Sequence, residues 1–180
     1  MKKQFITPFI PCKLVLFFVI IFMSSCVNQE TKYCDSIFKE EENNIESTID
    51  FNLIDCLNGS NKKTIHLATI TFNQIKNLET LQFILKIKKD HQKIDAELQK
   101  LTEKNLIIIP KLVYDLNINP DSLKAKNPHF YLLKALETEI KNQIRVFDKI
   151  EKTSQNIDFK LFAIKSKKLV LANLDALKTF

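Results

Sequence analysis

Leu78 to Lys104 reads LETLQFILKIKKDHQKIDAELQKLTEK. Leu78, Leu81, Ile84, Ile87, Ile94, Leu98 and Leu101 step by threes and fours, and His91 falls in the same series. That is the period of a helix with one apolar stripe, and no Gly or Pro interrupts it. Such a stripe has to be buried against a neighbour, so the next question is whether the chain supplies partners.

It does, on both sides. Ile54, Leu57, Ile65, Ala68, Phe72 and Ile75 predict a first helix over about 49–76, with Asn61 a polar gap and Gly59, the one glycine, a place where it is interrupted. Leu133, Leu136, Ile140, Ile144, Phe147 and Ile150 predict a third. Asn127 is its expected N-cap and Pro128 its first residue, where the missing N–H costs nothing. Ile157, Leu161, Ile164, Leu171, Leu174 and Leu177 predict a fourth, with Lys168 breaking the stripe. Short joins near 76–78 and 152–157 make each pair antiparallel neighbours. Residues 105–126 contain Leu-Ile-Ile-Ile-Pro ending at Pro110, and are expected to run as an extended crossover, since a lone strand has no partner. The expected fold is all-α: a four-helix bundle with one long extended crossover between helices two and three.

The first 26 residues differ in kind. Lys2, Lys3 and Lys13 precede an unbroken apolar run, Leu14 to Met23, followed by Ser24, Ser25 and Cys26. This is the order of a secretory signal. Ten apolar residues at ~1.5 Å each reach about half of a ~30 Å hydrocarbon core, too little for a permanent span. Met-Ser-Ser-Cys resembles a lipobox, at which a bacterial lipoprotein is acylated on Cys and cut before it; Met23 stands where Leu is usual. The resemblance implies a lipid anchor on Cys26 and hence a membrane partner. Ordinary cleavage near Ser25, releasing a soluble protein, is the rival reading. Val27 after the Cys leans toward the outer membrane, facing the periplasm.

Residues 1–25 thus read as signal peptide, 26–48 as an acidic tether (Glu40, Glu41, Glu42, Glu46), and 49–180 as the helical domain. Within the tether, Phe38, Ile45 and Ile49 fall at helical spacing. The signal removes three Lys and no acid, so the charge drops from +6 to +3. With an extracytoplasmic address, that argues against nucleic acid as a partner. Cys12 leaves with the signal, which leaves Cys34 and Cys56. Export permits a disulfide between them, closing a loop of about 20 residues worth ~3 kcal/mol in the chain-entropy model. Two unrelated thiols is the other reading. Neither lies in a C-x-x-C pair.

Asp90 to Pro110, DHQKIDAELQKLTEKNLIIIP, resembles domain-of-unknown-function family 4142, whose members show an Asp-His, a Leu-bearing helix and an apolar piece ending in Pro. Glu79 to Ile84 (ETLQFI) and Asp158 to Ala163 (DFKLFA) are similar to it too. The resemblance covers roughly 130 residues and implies a ferritin-like helical bundle in an outer-membrane protein. It also implies inward-facing carboxylate or His positions at about Thr64, Ile140 and Asn173. None of these is a ligand here, and only His91 remains.

A ferritin-like di-metal site needs Glu-x-x-His on two helices. Here Lys63 precedes His66 by three, Lys88 precedes His91 and Lys126 precedes His129. One glycine excludes the P-loop and the dinucleotide fingerprint, and no G-x-S-x-G exists. Glu137 with Lys141 and Asp148 with Lys152 are i, i+4 pairs of an exposed helix face. Lys160, Lys165, Lys167, Lys168 and Lys178 make the last helix basic, read as a solvated face or a contact with anionic lipid. No cofactor and no catalytic residue is expected. The expected role is non-enzymatic: a lipid-anchored module acting on an envelope protein partner that the sequence does not name. The alternative is a degenerate ferritin-like metal binder or oxidoreductase using His91. A third reading is a small-ligand carrier with an apolar pocket.

Overall fold

The computed structural model describes residues 49–109, 116, 118–124 and 127–180. The signal segment, Cys26, the tether, Cys34 and Pro110 lie outside the described residues. Among the described residues the chain is helical and contains no strand. The helices are α1 (Phe51–Gln74), α2 (Leu78–Lys104), α3 (Pro120–Lys124), α4 (Pro128–Thr153) and α5 (Ile157–Leu177).

Side chains start three of the long helices. Asp50 Oδ1 accepts from the N–H groups of Asn52 and Leu53 at 2.9 and 3.2 Å. Asn77 Oδ1 accepts from Thr80 N–H, and Asn156 Oδ1 from Asp158 and Phe159 N–H. Each satisfies donors the helix leaves open, worth about 1 kcal/mol. Asn127 differs from expectation: it makes no side-chain cap bond, and the fixed φ of Pro128 opens α4 without it. Gly59 does not interrupt α1, which runs through it unbroken.

α1 packs on α2 and α4, and α5 packs on α4 and, more lightly, on α2. Lys104 at the end of α2 pairs with Asp158 at the start of α5, and Asn156 Nδ2 donates to Asn105 Oδ1 at 3.0 Å. Ile49, Asp50 and Leu53 line a crevice with Ile150, Ser154 and Phe159. The start of α1, the end of α2, the end of α4 and the start of α5 therefore share one end of the body. Every packed pair of long helices is antiparallel, and the crossover carries the chain from that end to the other. Leu57, Ile84, Ile87, Leu136, Ile140 and Phe147 are fully buried between the helices, and Phe147 meets Phe162 edge to face at 6.0 Å.

Two stripes are turned from their expected register. In α1, Phe72 is exposed and Ile65 half-buried, while Asn61, Thr64 and Thr71 are fully buried. The threonines can go inside because their hydroxyls donate to carbonyls four residues back, Thr64 to Ser60 and Thr71 to Leu67. In α5, Ile157, Leu161, Ile164 and Leu171 are exposed, and Phe159, Phe162, Ala163, Val170, Leu174 and Leu177 are buried. That helix is apolar on two faces, and the face with two phenylalanines removes more area from water. Leu78, expected in the α2 stripe, is also exposed.

The crossover is extended at its start. Ile107 and Ile109 lean on the core while Leu106 and Ile108 point out, the alternation of an extended chain. Further on, Leu116 and Ile118 also lean on the core, and α3 adds a helical turn where the sequence leads one to expect extended chain. α2 ends on a motif in which Ile107 N–H donates to Thr102 O at 2.8 Å and Leu106 N–H to Glu103 O at 3.1 Å. Leu106 sits there at φ 54°, a position glycine usually takes. A Cβ costs ~1–2 kcal/mol in that conformation, and the exposed leucine recovers little by burial. Leu106→Gly should therefore raise stability by about 1 kcal/mol, read as a higher urea midpoint with an unchanged slope.

Candidate functional site

Three polar side chains meet where α1, α2 and α4 face one another. Asn61 from α1, His91 from α2 and Gln143 from α4 are each fully buried. Each occupies a stripe position of its own helix: Asn61 lies four residues after Leu57, His91 four after Ile87, and Gln143 three after Ile140. The helical period carries them inward whatever their polarity.

Once inside they have to pair with each other. Asn61 Nδ2 donates to the backbone oxygen of His91 at 2.9 Å. Asn61 Oδ1 lies 2.9 Å from His91 Nδ1 and accepts from Gln143 Nε2 at 3.0 Å. An amide oxygen only accepts, so His91 carries its proton on Nδ1 and leaves the Nε2 lone pair bare. His91 Nε2 and Gln143 Oε1 are buried without a hydrogen-bond partner. Both are acceptors, so neither can satisfy the other. Burial lowers the His91 pKa to about 4, and the Asp90 carboxylate next to it opposes this only in part. The ring is neutral at neutral pH.

Asp90 belongs to a second cluster. Its Oδ2 accepts from Lys86 Nζ at 3.0 Å and from Asn173 Nδ2 at 3.1 Å, and Lys93 lies 3.7 Å from Oδ1. Lys86 also donates to Asn173 Oδ1. The carboxylate is thus occupied in tying α2 to α5. Ser60 Oγ donates to Glu139 Oε1 at 2.7 Å, joining α1 to α4. Burial pushes the Glu139 pKa up, against that bond and the nearby Lys63. Glu139 also lines a surface groove of about 330 Å³ with Lys63, Leu116, Tyr131, Lys134 and Thr138.

The positions that the family resemblance pointed to, Thr64, Ile140 and Asn173, are fully buried, as is His91. They present a hydroxyl, a hydrocarbon and an amide. Among the described residues no three side chains of His, Cys, Asp or Glu gather where an ion could be held, and no helix is long and apolar enough to cross a membrane. Cys56 is buried and disulfide-bonded; Cys12, Cys26 and Cys34 lie outside the described residues. Lys165 and Lys167, expected on a basic face, are engaged: Lys165 with Glu97, Lys167 with Asp148 and Glu151. Glu137 bridges Lys134 and Lys141 on the surface. Sequence reasoning places His91 in the stripe, sees Asn61 as a gap and reaches Asn173 through the family resemblance, but misses Gln143, whose signal is a polar residue at an apolar position of its helix. Against family models, curated proteins and solved structures, the chain finds no match.

Two outcomes follow. As pH falls, the unfolded chain protonates His91 near its ordinary 6.5, while the folded chain resists down to about 4. The stability due to its neutral burial is full above pH 6.5, drains away between 6.5 and 4, and is flat below. The loss is on the order of 3 kcal/mol. Urea midpoints measured across that window should show it, and His91→Gln should remove this part of the pH dependence. Asn61→Leu strands Gln143 Nε2 and the His91 ring N–H, takes the second bond from the His91 backbone oxygen, and should cost about 3 kcal/mol at pH 7.

Proposed function

We propose that the chain is a non-enzymatic, lipid-anchored module of the cell envelope, built as a four-helix bundle of the ferritin-like kind and acting through contacts with an envelope protein. The observation that carries the non-enzymatic reading is the buried centre. Where α1, α2 and α4 face one another, the side chains are two neutral amides and one neutral imidazole, hydrogen-bonded to one another. Neutral amides contribute no charge to balance a divalent ion, and the carboxylate next in the chain to His91, Asp90, is held by lysines and Asn173. The antiparallel order with one long crossover supports the ferritin-like reading, as does the burial of all four positions drawn from the family resemblance. The signal-like first 26 residues support an anchor on Cys26, with the outer membrane, periplasmic side, as its place. A disulfide between Cys34 and Cys56 belongs to the same exported state.

One observation favours a second reading, a vestigial metal site: the bare His91 Nε2 lone pair. The two are separated by elemental analysis of the full-length protein purified from membranes, with His91→Ala beside it. The favoured reading expects no stoichiometric iron, manganese or zinc in either. Metal in the wild type that His91→Ala removes would establish the second. Mass spectrometry of palmitate-labelled protein, and of Cys26→Ser, tests the anchor: lipid on the N-terminal peptide of the wild type alone is expected.

A further inference from the structure

Phe51, Leu106, Ile108 and Ile157 are 60, 92, 91 and 63% exposed. They come from the start of α1, the end of α2, the crossover and the start of α5, and therefore share the end of the body described above. Leu161 continues the patch one turn up α5, on the same face as Ile157. Isolated apolar residues on a surface need no explanation; a group gathered from four segments does. Leu106 sharpens the point, because it holds a side chain out at a backbone position where glycine would fold more easily.

The chain itself says what lies opposite this end. Residue 49 enters the body here, so the chain before it, which begins at the lipid-bearing Cys26 of the anchoring proposed above, is attached at this end. With the Cys34–Cys56 disulfide proposed above, the eight residue steps from Cys26 to Cys34 reach at most about 28 Å. The body is about 40 Å long, from the 27 residues of α2. The tether therefore holds the patch beside the bilayer. The opposite end, which exposes Leu78 and Phe130, stands farther off.

We propose that this end docks on the membrane, with Phe51, Leu106, Ile108 and Ile157 entering the interfacial layer of the bilayer while the rest of the helical body stands clear. Lys104 and Asp158 neutralise each other there, so the contact is apolar and does not depend on anionic lipid. The docking rests on the anchoring proposed above. It adds an orientation: one fixed end faces lipid, and the other end and the groove beside Glu139 are left for a protein partner.

The chain contains no tryptophan, so single probes report without background. Phe51→Trp, Ile108→Trp and Phe130→Trp are made in the full-length chain, each at an exposed site that spares the core. The proteins are reconstituted with phosphatidylcholine vesicles whose acyl chains are brominated. The proposal expects the probes at 51 and 108 to lose most of their emission and the probe at 130 to keep its own, at low and at high salt. Protein that pellets with the vesicles but shows no difference between the probes overturns the docking and leaves the anchor standing. Protein that stays in the supernatant overturns both.

Discussion

Asn61 is where three helices are forced to agree. Its carboxamide has one oxygen and one nitrogen, and both are spent: the nitrogen on the His91 carbonyl, the oxygen on the His91 ring and on Gln143. Buried donors must be paired, so α1, α2 and α4 have one relative register in which Asn61 makes all three of its bonds, with only His91 Nε2 and Gln143 Oε1 left over. Sliding any helix by one turn would leave several donors and acceptors stranded in hydrocarbon. Apolar packing around the centre stabilises the body but is tolerant of small shifts. The amides are not, and they select the arrangement.

The same centre decides how the interior behaves chemically. A histidine reached by solvent or flanked by carboxylates would titrate near neutrality and could bind or relay protons. His91 has neither. Its partner on Nδ1 is an amide, its surroundings are apolar helices, and burial outweighs the attraction of Asp90. Asp90 in turn serves as a clamp between α2 and α5 through Lys86 and Asn173. That clamp sits on the lightest contact between two long helices, where apolar packing gives least.

Much of this was legible in the residues. The period of Leu78–Lys104 placed α2 and put His91 inside, and the short joins foretold which helices would be antiparallel. The registers of α1 and α5 were not legible. α1 buries Asn61, Thr64 and Thr71, which a hydrophobicity pattern counts as surface; their hydrogen bonds become available only once the helix exists and has neighbours. α5 has two apolar faces, and nothing local says which goes inward; the choice is made by the fit of Phe159 and Phe162 against α4. Gln143 was invisible for the reason Asn61 was only a gap: its value lies in a partner 82 residues away. Leu106 could not be read at all, because φ at a helix end follows from how the chain leaves the helix.

The account therefore stands or falls on the state of one imidazole. Nitrogen-15 spectra of the His91 ring, recorded in the folded protein from pH 7 to pH 4 with and without ferrous iron or zinc, test it most directly. The account predicts an Nδ1-protonated neutral ring that stays neutral until about pH 4 and does not respond to metal. A ring that titrates near its ordinary 6.5, carries its proton on Nε2, or shifts on adding metal would contradict it.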